Sequence, residues 1–334
     1  MRLSDIDYTL PEALIAQRPI EPRDSARLLV DIEGRGIRHM HVSDLPSLVR
    51  PGDLFVVNDT RVIPARLHLQ RRSGGAAEVL LLEQRDGERR MWEALVRPAR
   101  KLRHGEVLEY FGKPVVRIGD RTAAGDTFHV ELLGPDTGDL LERIGTMPLP
   151  PYIRASLKDP SRYQTVYSRR AASAAAPTAG LHFTEELMRS VRDAGGRFAS
   201  VELVVGLDTF KPISAENPLD HKIHTEHYSV GADVLDACAE AERVIAVGTT
   251  ATRALESAAT RREASGRTDL FITPGYDWKI VDVLMTNFHM PRTSLLLMIQ
   301  AFVGERWRML YEEAVRERYR FLSFGDAMLV DRAR

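Results

Sequence analysis

The sequence predicts an α/β protein that carries an all-β segment within it. Three observations point there. Between residues 62 and 148, short strands follow one another quickly, with turn signals between them. From about residue 150 onward, strands alternate with helices. The 334 residues, 44% hydrophobic and 28% charged, suit one large or two ordinary domains with real cores.

Residues 1–60 mix short helix with strand. Residues 11–17 read as one or two helical turns, stopped by Pro19 and Pro22. Residues 54–57 form a short apolar strand that ends at Asn58-Asp59-Thr60. In the second region strands are expected at 65–70, 78–83, 92–96, 107–110, 115–118 and 128–133. The breaks between them are Ser73-Gly74-Gly75, Asp86-Gly87, His104-Gly105 and Gly125-Asp126. That spacing fits a small antiparallel barrel or sandwich, and no stretch of it reads as a sustained helix. In the third region a helix at 185–194 ends at Gly195-Gly196 and leads into a strand at 198–205. A helix at 234–243, a buried strand at 244–247 and a helix at 252–263 follow. Helices at 294–303 and 306–318 come last. In such a pattern ligand loops belong at the carboxyl ends of the strands.

Composition narrows the function. The apolar runs, such as 295–299, are too short to span a bilayer, so no membrane association is expected. The start, M-R-L-S-D-I-D-Y, shows no apolar signal region. Cys238 is the single cysteine, which excludes an internal disulfide and a cysteine-based metal cluster and points to a reducing cytosol. The net charge is −1; an RNA enzyme needs one basic face rather than a basic whole. The excess of Arg over Lys suits forked phosphate contacts and fits genomic composition bias equally well. No G-x-G-x-x-G follows a strand, and no G-x-x-x-x-G-K-[ST] is present, so neither a dinucleotide fold nor a P-loop is supported.

Four loops have the composition of a site. Asn58-Asp59-Thr60-Arg61 offers an amide, a carboxylate and a guanidinium; the plain alternative is an Asx-type turn. The stretch S-A-A-A-P-T-A-G-L-H-F-T (173–184) combines tiny side chains, Pro177, Thr178, Gly180 and His182, with Thr184 placed to cap the next helix. Its small residues allow close backbone approach, and His182 is the group that changes charge near neutrality. Gly248-Thr249-Thr250, before Arg253, joins a buried strand to a helix whose free N–H groups suit an anion; capping by Thr250 or Thr252 is the plain alternative. Asn287-Phe288-His289-Met290-Pro291-Arg292 offers an acid–base His, a ring for stacking and a phosphate-binding Arg. A fifth group, His221, His224 and His227 with Glu226, lacks the i, i+4 spacing of a helical zinc site. Substrate contact or a structural role is preferred to metal there.

These loops sit inside longer motifs. The chain opens S-D-I-D-Y-T-L-P-E-A-L-I-A-Q-R-P-I-E-P-R-D-S-A-R-L-L-V (4–30). It continues with V-V-N-D-T-R-V-I-P-A-R-L (56–67), L-P-P-Y-I-R (149–154), R-Y-Q-T-V-Y-S (162–168) and A-P-T-A-G-L-H-F-T (176–184). V-G-T-T-A-T-R-A-L-E-S (247–257), T-D-L-F-I-T-P-G-Y-D-W-K-I-V-D (268–282), T-N-F-H-M-P-R-T-S-L-L-L-M (286–298) and Y-R-F-L-S-F-G-D-A-M-L-V (319–330) follow. In this order, nearly end to end, they resemble the S-adenosylmethionine:tRNA ribosyltransferase-isomerases of queuosine biosynthesis.

The resemblance implies an α/β domain built from both ends of the chain (1–61 and 149–334), with a small antiparallel β-barrel inserted (62–148). It implies that S-adenosyl-L-methionine serves as co-substrate and ribosyl donor, with no metal. The acceptor would be the aminomethyl group of 7-aminomethyl-7-deazaguanine at the tRNA wobble position. Epoxyqueuosine-tRNA, adenine and methionine would be the products. A cytoplasmic monomer is expected. His182 and His289 are the candidates for proton transfer, and Asp59 and Glu226 the candidate carboxylates. Substrate contacts are expected from Asn58, Arg61, Pro177, Thr178, Gly180, Gly248, Thr249, Thr250, Arg253, Asn287, Phe288 and Arg292. Asp326, in F-G-D-A-M, is either a site residue or closes the last turn. The chain departs from the family pattern L-H-V-G-x-G-T-F, where Val204 stands for His and Asp208 for Gly; Ala172 also stands for a Gly. A relative with another substrate, or an RNA-binding module without catalysis, are the alternatives.

Overall fold

The computed structural model describes every residue except 89, 123–124, 135–136, 207–211, 214, 224 and 334. The chain divides into two units. One comprises Met1–Thr60, Pro151–Arg169 and Pro177–Arg334; the other comprises Arg61–Pro150 and Arg170–Ala176.

The strands before the barrel are β1 (Arg27–Asp31), β2 (Arg38–His41), β3 (Asp53–Asn58) and β4 (Arg61–Val62). The second unit then carries β5 (Arg66–Arg71), β6 (Ala76–Gln84), β7 (Met91–Arg97), β8 (Val107–Tyr110), β9 (Lys113–Arg121) and β10 (Phe128–Leu132). The same unit holds α1 (Thr137–Ile144), β11 (Gly145–Thr146) and, from its second segment, β12 (Ala171–Ser173). The rest of the chain is α2 (Glu185–Asp193), β13 (Arg197–Leu203), β14 (Glu226–Ser229), α3 (Ala232–Glu240), β15 (Arg243–Val247) and α4 (Thr249–Arg261), followed by β16 (Ser265–Thr268), β17 (Val283–Asn287), α5 (Ser294–Val303), α6 (Arg306–Arg316) and β18 (Ala327–Asp331).

The first unit is a nine-stranded sheet in the order β16-β14-β13-β3-β15-β17-β18-β1-β2. Strands β13, β3, β15 and β17 run parallel to one another. β3, β15 and β17 read as near-continuous apolar runs because both faces are covered; all six residues of β3 are buried, whereas β13 is only partly buried. Strand β18 runs antiparallel to β17, and β1 lies parallel beside β18, so the two ends of the chain meet inside one sheet. Thr184 and Thr293 cap α2 and α5 through their hydroxyls, at 3.0 and 3.3 Å from the N–H groups of Leu187 and Leu296. The core joins Leu28, Val30, Phe55, Val57, Phe183, Leu187, Ile245, Met285 and Leu329. No described helix is long and apolar enough to cross a membrane.

In the second unit β5, β6, β7, β10, β9 and β8 pair antiparallel in that order. The pairing of β8 with β5 closes them into a six-stranded barrel. Alternate residues such as Leu67, Leu69, Val79, Leu81, Trp92, Ala94, Val116, Ile118, Val130 and Leu132 are buried, the period-2 pattern of a filled small barrel. Of the barrel and sandwich readings, the barrel is correct.

Several boundaries differ from the sequence expectation. Residues 11–17 make only a short 3₁₀ turn, Glu12–Leu14. Helix α1 falls in the region expected to hold no sustained helix; at eight residues with Gly138 in its first turn, its pattern is too short to register. Helix α3 stops at Glu240, not 243, because Arg243 begins β15. Its guanidinium is held there by Asp53, Nη2 to Oδ2 2.6 Å. Helix α4 begins at Thr249, three residues before the expected start at 252, because Gly248 takes the cap position at φ +91°, a conformation open to glycine.

Candidate active site

Strands β3, β13, β15 and β17 end on the same edge of the sheet, and β18 begins there. Their termini therefore gather Asn58, Gly206, Gly248, Asn287 and Asp326. The 3₁₀ turn Thr178–His182 packs against β17.

Asn287, 2% exposed, joins three of these pieces. Its Oδ1 accepts from Thr178 Oγ1 at 2.9 Å. Its Nδ2 donates to His182 Nε2 at 3.2 Å and to the Asp326 carbonyl at 3.3 Å. An acceptor at Nε2 fixes His182 as the neutral tautomer with its proton on Nδ1. Burial, and then the charge of Arg320, pull the His182 pKa from 6.5 down to about 4. Asp326 closes the last turn. Its Oδ1 accepts from the Arg27 N–H at 3.0 Å and its Oδ2 from the Arg320 N–H at 2.7 Å. Burial raises its pKa against those two backbone donors.

His182 also lines a cleft with Arg23, Arg162, Leu181, Ser323 and Phe324. Arg23 donates to the carbonyls of Gln164 at 2.7 Å and Ser161 at 3.1 Å. Arg162 donates to the Ile20 carbonyl at 2.7 Å and pairs with Glu21 at 3.0 Å. Burial and the neighbouring Arg162 lower the Arg23 pKa. The sequence reading passed over these two arginines, although both stand in the quoted motifs R-P-I-E-P-R and R-Y-Q-T-V-Y-S. Their convergence on a residue 159 positions after Arg23 is visible only in the fold.

The loop after β3 divides its labour. Asn58, fully buried, donates from Nδ2 to the Leu203 carbonyl at 3.0 Å, and its Oδ1 accepts from the N–H groups of Leu203 and Thr60, both at 3.2 Å. This is the Asx turn, tying β3 to β13, and it leaves the Asn58 amide engaged by backbone. Asp59 remains as the group able to act. It is half-buried, 3.7 Å from Arg169, and burial raises its pKa while Ser200 and Arg169 oppose. Arg61 belongs to the second unit, where its side chain is exposed and its N–H donates to the Arg170 carbonyl at 2.8 Å.

At α4 no side chain caps the first turn. Thr252 Oγ1 turns back to the Gly248 carbonyl at 3.0 Å. Thr250 Oγ1 is buried without a hydrogen-bond partner, so neither threonine is the cap. Thr249, also buried, starts the helix. Arg253 and Glu226, 7% and 8% exposed, form an ion pair with each other. Arg253 also donates to the carbonyls of Leu270 and Thr268 at 3.1 and 3.2 Å. Glu226 Oε1 accepts from the Gly206 N–H at 3.0 Å. Burial lowers the Arg253 pKa and Glu226 opposes it. The pair fixes the chain just beyond β13, and its charges compensate one another.

The loop after β17 folds inward. Phe288, 0% exposed, packs among Tyr311, Tyr319 and Phe321 with ring centroids 5.6, 5.5 and 5.0 Å away. Its faces are taken by the core, so it offers no stacking platform for a base. His289 Nε2 lies 3.1 Å from Thr286 Oγ1, and its N–H donates to the Tyr311 hydroxyl at 3.0 Å. Burial pushes its pKa down to about 3. Arg292 is exposed and pairs with Asp7. Gly180 answers a packing need rather than a ligand: a Cβ there would stand 1.9 Å from the Tyr167 hydroxyl. Pro177 precedes the turn. The small residues Ser173 to Ala176 before it are buried in the second unit.

Among the described residues no group of three or more His, Cys, Asp or Glu side chains is placed to hold a metal. His221 meets the edge of Phe271 at 6.0 Å. The N–H of Val204, itself 9% exposed, donates to the His227 carbonyl at 2.9 Å. His224 and Asp208 lie outside the described residues.

Residues 3–330 match the family described as queuosine biosynthesis protein. The chain is 50% identical over 332 residues to a protein of Rubrobacter xylanophilus named S-adenosylmethionine:tRNA ribosyltransferase-isomerase, covering 99% of this chain and 98% of that one. A protein of the same name from Moorella thermoacetica is 49% identical over 343 residues, covering 99% and 100%. The crystal structure of an S-adenosylmethionine tRNA ribosyltransferase from Thermotoga maritima aligns with 98% of this chain and 99% of its own. The TM-score is 0.55 and the identity 35%.

Proposed function

The chain belongs to the queuosine biosynthesis family, the S-adenosylmethionine:tRNA ribosyltransferase-isomerases, and on that premise we propose that it transfers and isomerises the ribosyl group of S-adenosyl-L-methionine onto a tRNA base. The acceptor is the aminomethyl group of 7-aminomethyl-7-deazaguanine at the wobble position. The product is epoxyqueuosine-tRNA, with adenine and methionine released. The reaction belongs in the cytoplasm, where tRNA is found, and a monomer suffices for it.

One observation carries the assignment of roles: Thr178, Asn287 and His182 form a chain of hydrogen bonds at the strand termini, buried at its Asn287–His182 end. The reaction needs a base for a proton activated by the sulfonium, a proton for the departing adenine, and a neutral amine as nucleophile. Burial keeps His182 neutral, the state in which a base begins; its one basic nitrogen, Nε2, accepts from the Asn287 amide, so it takes a proton as that amide lets go. Asp59, with its raised pKa, takes the proton of the acceptor amine. The first turn of α4, free of a side-chain cap, and the unpartnered Thr250 hydroxyl are the seat for the methionyl carboxylate. Glu226 and Arg253 act as positioning residues for the segment beyond β13.

The test is adenine release from S-adenosylmethionine mixed with precursor tRNA. The protein should release adenine only when that tRNA is present, and His182→Ala should lower turnover by about 10²-fold or more with an unchanged circular-dichroism spectrum. Binding of tRNA without adenine release would favour an RNA-binding module. Near-normal turnover in the variant would remove His182 from the chemistry.

A further inference from the structure

We propose that residues 97–103, on the β-barrel, form a docking surface for the phosphate backbone of RNA. The proposal rests on the tRNA reading above and names the part of the protein that would grip the nucleic acid.

The run Arg97-Pro98-Ala99-Arg100-Lys101-Leu102-Arg103 holds four cations in seven residues with no acid among them. All four cationic side chains are exposed. Among the described residues, none of the four makes an ion pair within 4.0 Å. Four other arginines of the barrel are paired. Arg66 pairs with Glu78 at 2.8 Å, Arg71 with Glu106 at 2.6 Å, Arg72 with Glu109 at 2.9 Å, and Arg117 with Glu131. The acids nearest the run are already taken. Glu78 stands opposite Arg97 in the strand register but is held by Arg66. Glu106, next to Arg103, is held through both oxygens by Arg71.

The run is also fixed in shape. Arg71 Nη2 donates to the Lys101 carbonyl at 2.9 Å, and Arg121 Nη2 to the Ala99 carbonyl at 3.1 Å. The Lys101 N–H closes a turn on the Pro98 carbonyl at 3.0 Å. The Arg103 N–H donates to Glu106 Oε2 at 3.1 Å. Leu102, 7% exposed, anchors the loop inward. Two arginines thus hold backbone beneath four other cations that stand exposed on it. Cations needed only for solubility require no such scaffold. A preorganised row of guanidinium and ammonium groups matches successive phosphates and binds them without the cost of ordering the loop. A chain with net charge −1 has no global attraction for a polyanion, so a local surface of this kind has to supply it.

The experiment measures precursor-tRNA binding by fluorescence anisotropy across a salt series. It compares the wild-type protein, the R97A/R100A/K101A/R103A variant, and Arg117→Ala, whose charge is already paired. The quadruple variant should raise Kd at least ~10-fold near 0.1 M salt and flatten the slope of log K against log salt by about 3. Its melting temperature and S-adenosylmethionine affinity should stay at wild-type values, and Arg117→Ala should bind within about twofold of wild type. R100A/K101A, with half the effect on the slope, replaces the quadruple variant if that fails to fold. An unchanged Kd and slope in the variants, with tight wild-type binding, would overturn the surface alone. Failure of the wild-type protein to bind the tRNA would overturn the tRNA reading and the surface together.

Discussion

At the scale of single residues, side-chain chemistry was legible in the sequence and side-chain partners were not. The Asx turn at Asn58 and the carboxylate offered by Asp59 were readings of the sequence, whereas the burial that keeps His182 neutral and raises the Asp59 pKa comes from the fold. That Glu226 neutralises Arg253, 27 positions away, or that Phe288 spends both faces on the core, follows from packing that no local pattern encodes. The two histidines carry a testable consequence. Folding lowers the pKa of His182 to about 4 and of His289 to about 3, whereas both sit near 6.5 in the unfolded chain. Between those limits the unfolded state binds protons that the folded state refuses, so stability rises with pH. The contribution is complete above pH ~6.5 and is lost as pH falls toward the folded values. Urea melts should therefore show stability dropping from pH 6.5 to 4, in part through these two groups. His289→Gln should remove about one proton of uptake from that window. A variant with the wild-type slope would show that His289 titrates normally in the fold.

At the scale of elements, helix interiors and barrel strands were legible because each carries its own period. Their ends were not, because ends are decided by caps and neighbours. Strands β1 and β18 pair across about 300 residues, so neither half announces its partner. The start of α4 is the instructive case. The threonines of Gly248-Thr249-Thr250 suggested side-chain capping, yet the positive φ of Gly248 starts the helix and leaves the Thr250 hydroxyl buried and unpartnered. A buried hydroxyl without a protein partner is kept at a cost of about 1 kcal/mol or more. Thr250→Val should consequently leave the melting temperature unchanged or raise it. If the hydroxyl and the α4 N–H groups hold the methionyl carboxylate, the same variant should weaken S-adenosylmethionine binding about 10-fold or more, the loss of one hydrogen bond to a charged group. Calorimetry and thermal melts on the same samples separate the two effects. A loss of stability with unchanged affinity would show that the hydroxyl serves the fold alone.

At the scale of the whole molecule, the change from quick turn-separated strands to alternating strands and helices marked out two kinds of architecture before any contact was known. The closure of the barrel through β5 and β8, and the meeting of both chain ends in one sheet, depend on pairings between distant segments and were legible only through the resemblance of the motifs. Charge adds a constraint at this scale. With 46 Lys and Arg against 47 Asp and Glu, the molecule projects almost no net field, and its two substrates should sense salt differently. The seat proposed for the methionyl carboxylate, the first turn of α4, would hold it by direct contact, and a charge contact shorter than the Debye length of about 10 Å at 0.1 M salt is weakly screened. S-adenosylmethionine affinity should change less than about threefold between roughly 0.05 and 0.2 M salt. Binding of tRNA should respond steeply, because each phosphate engaged releases counterions. Four contacts with a slope near −0.9 each weaken binding on the order of 10²-fold over that fourfold range of salt. Steady-state assays varying one substrate at a time would read both: the KM for tRNA should climb while that for S-adenosylmethionine holds. A tRNA KM as flat as the S-adenosylmethionine KM would mean that the nucleic acid is held by its bases or its shape, with no surface on this protein tracking its phosphates.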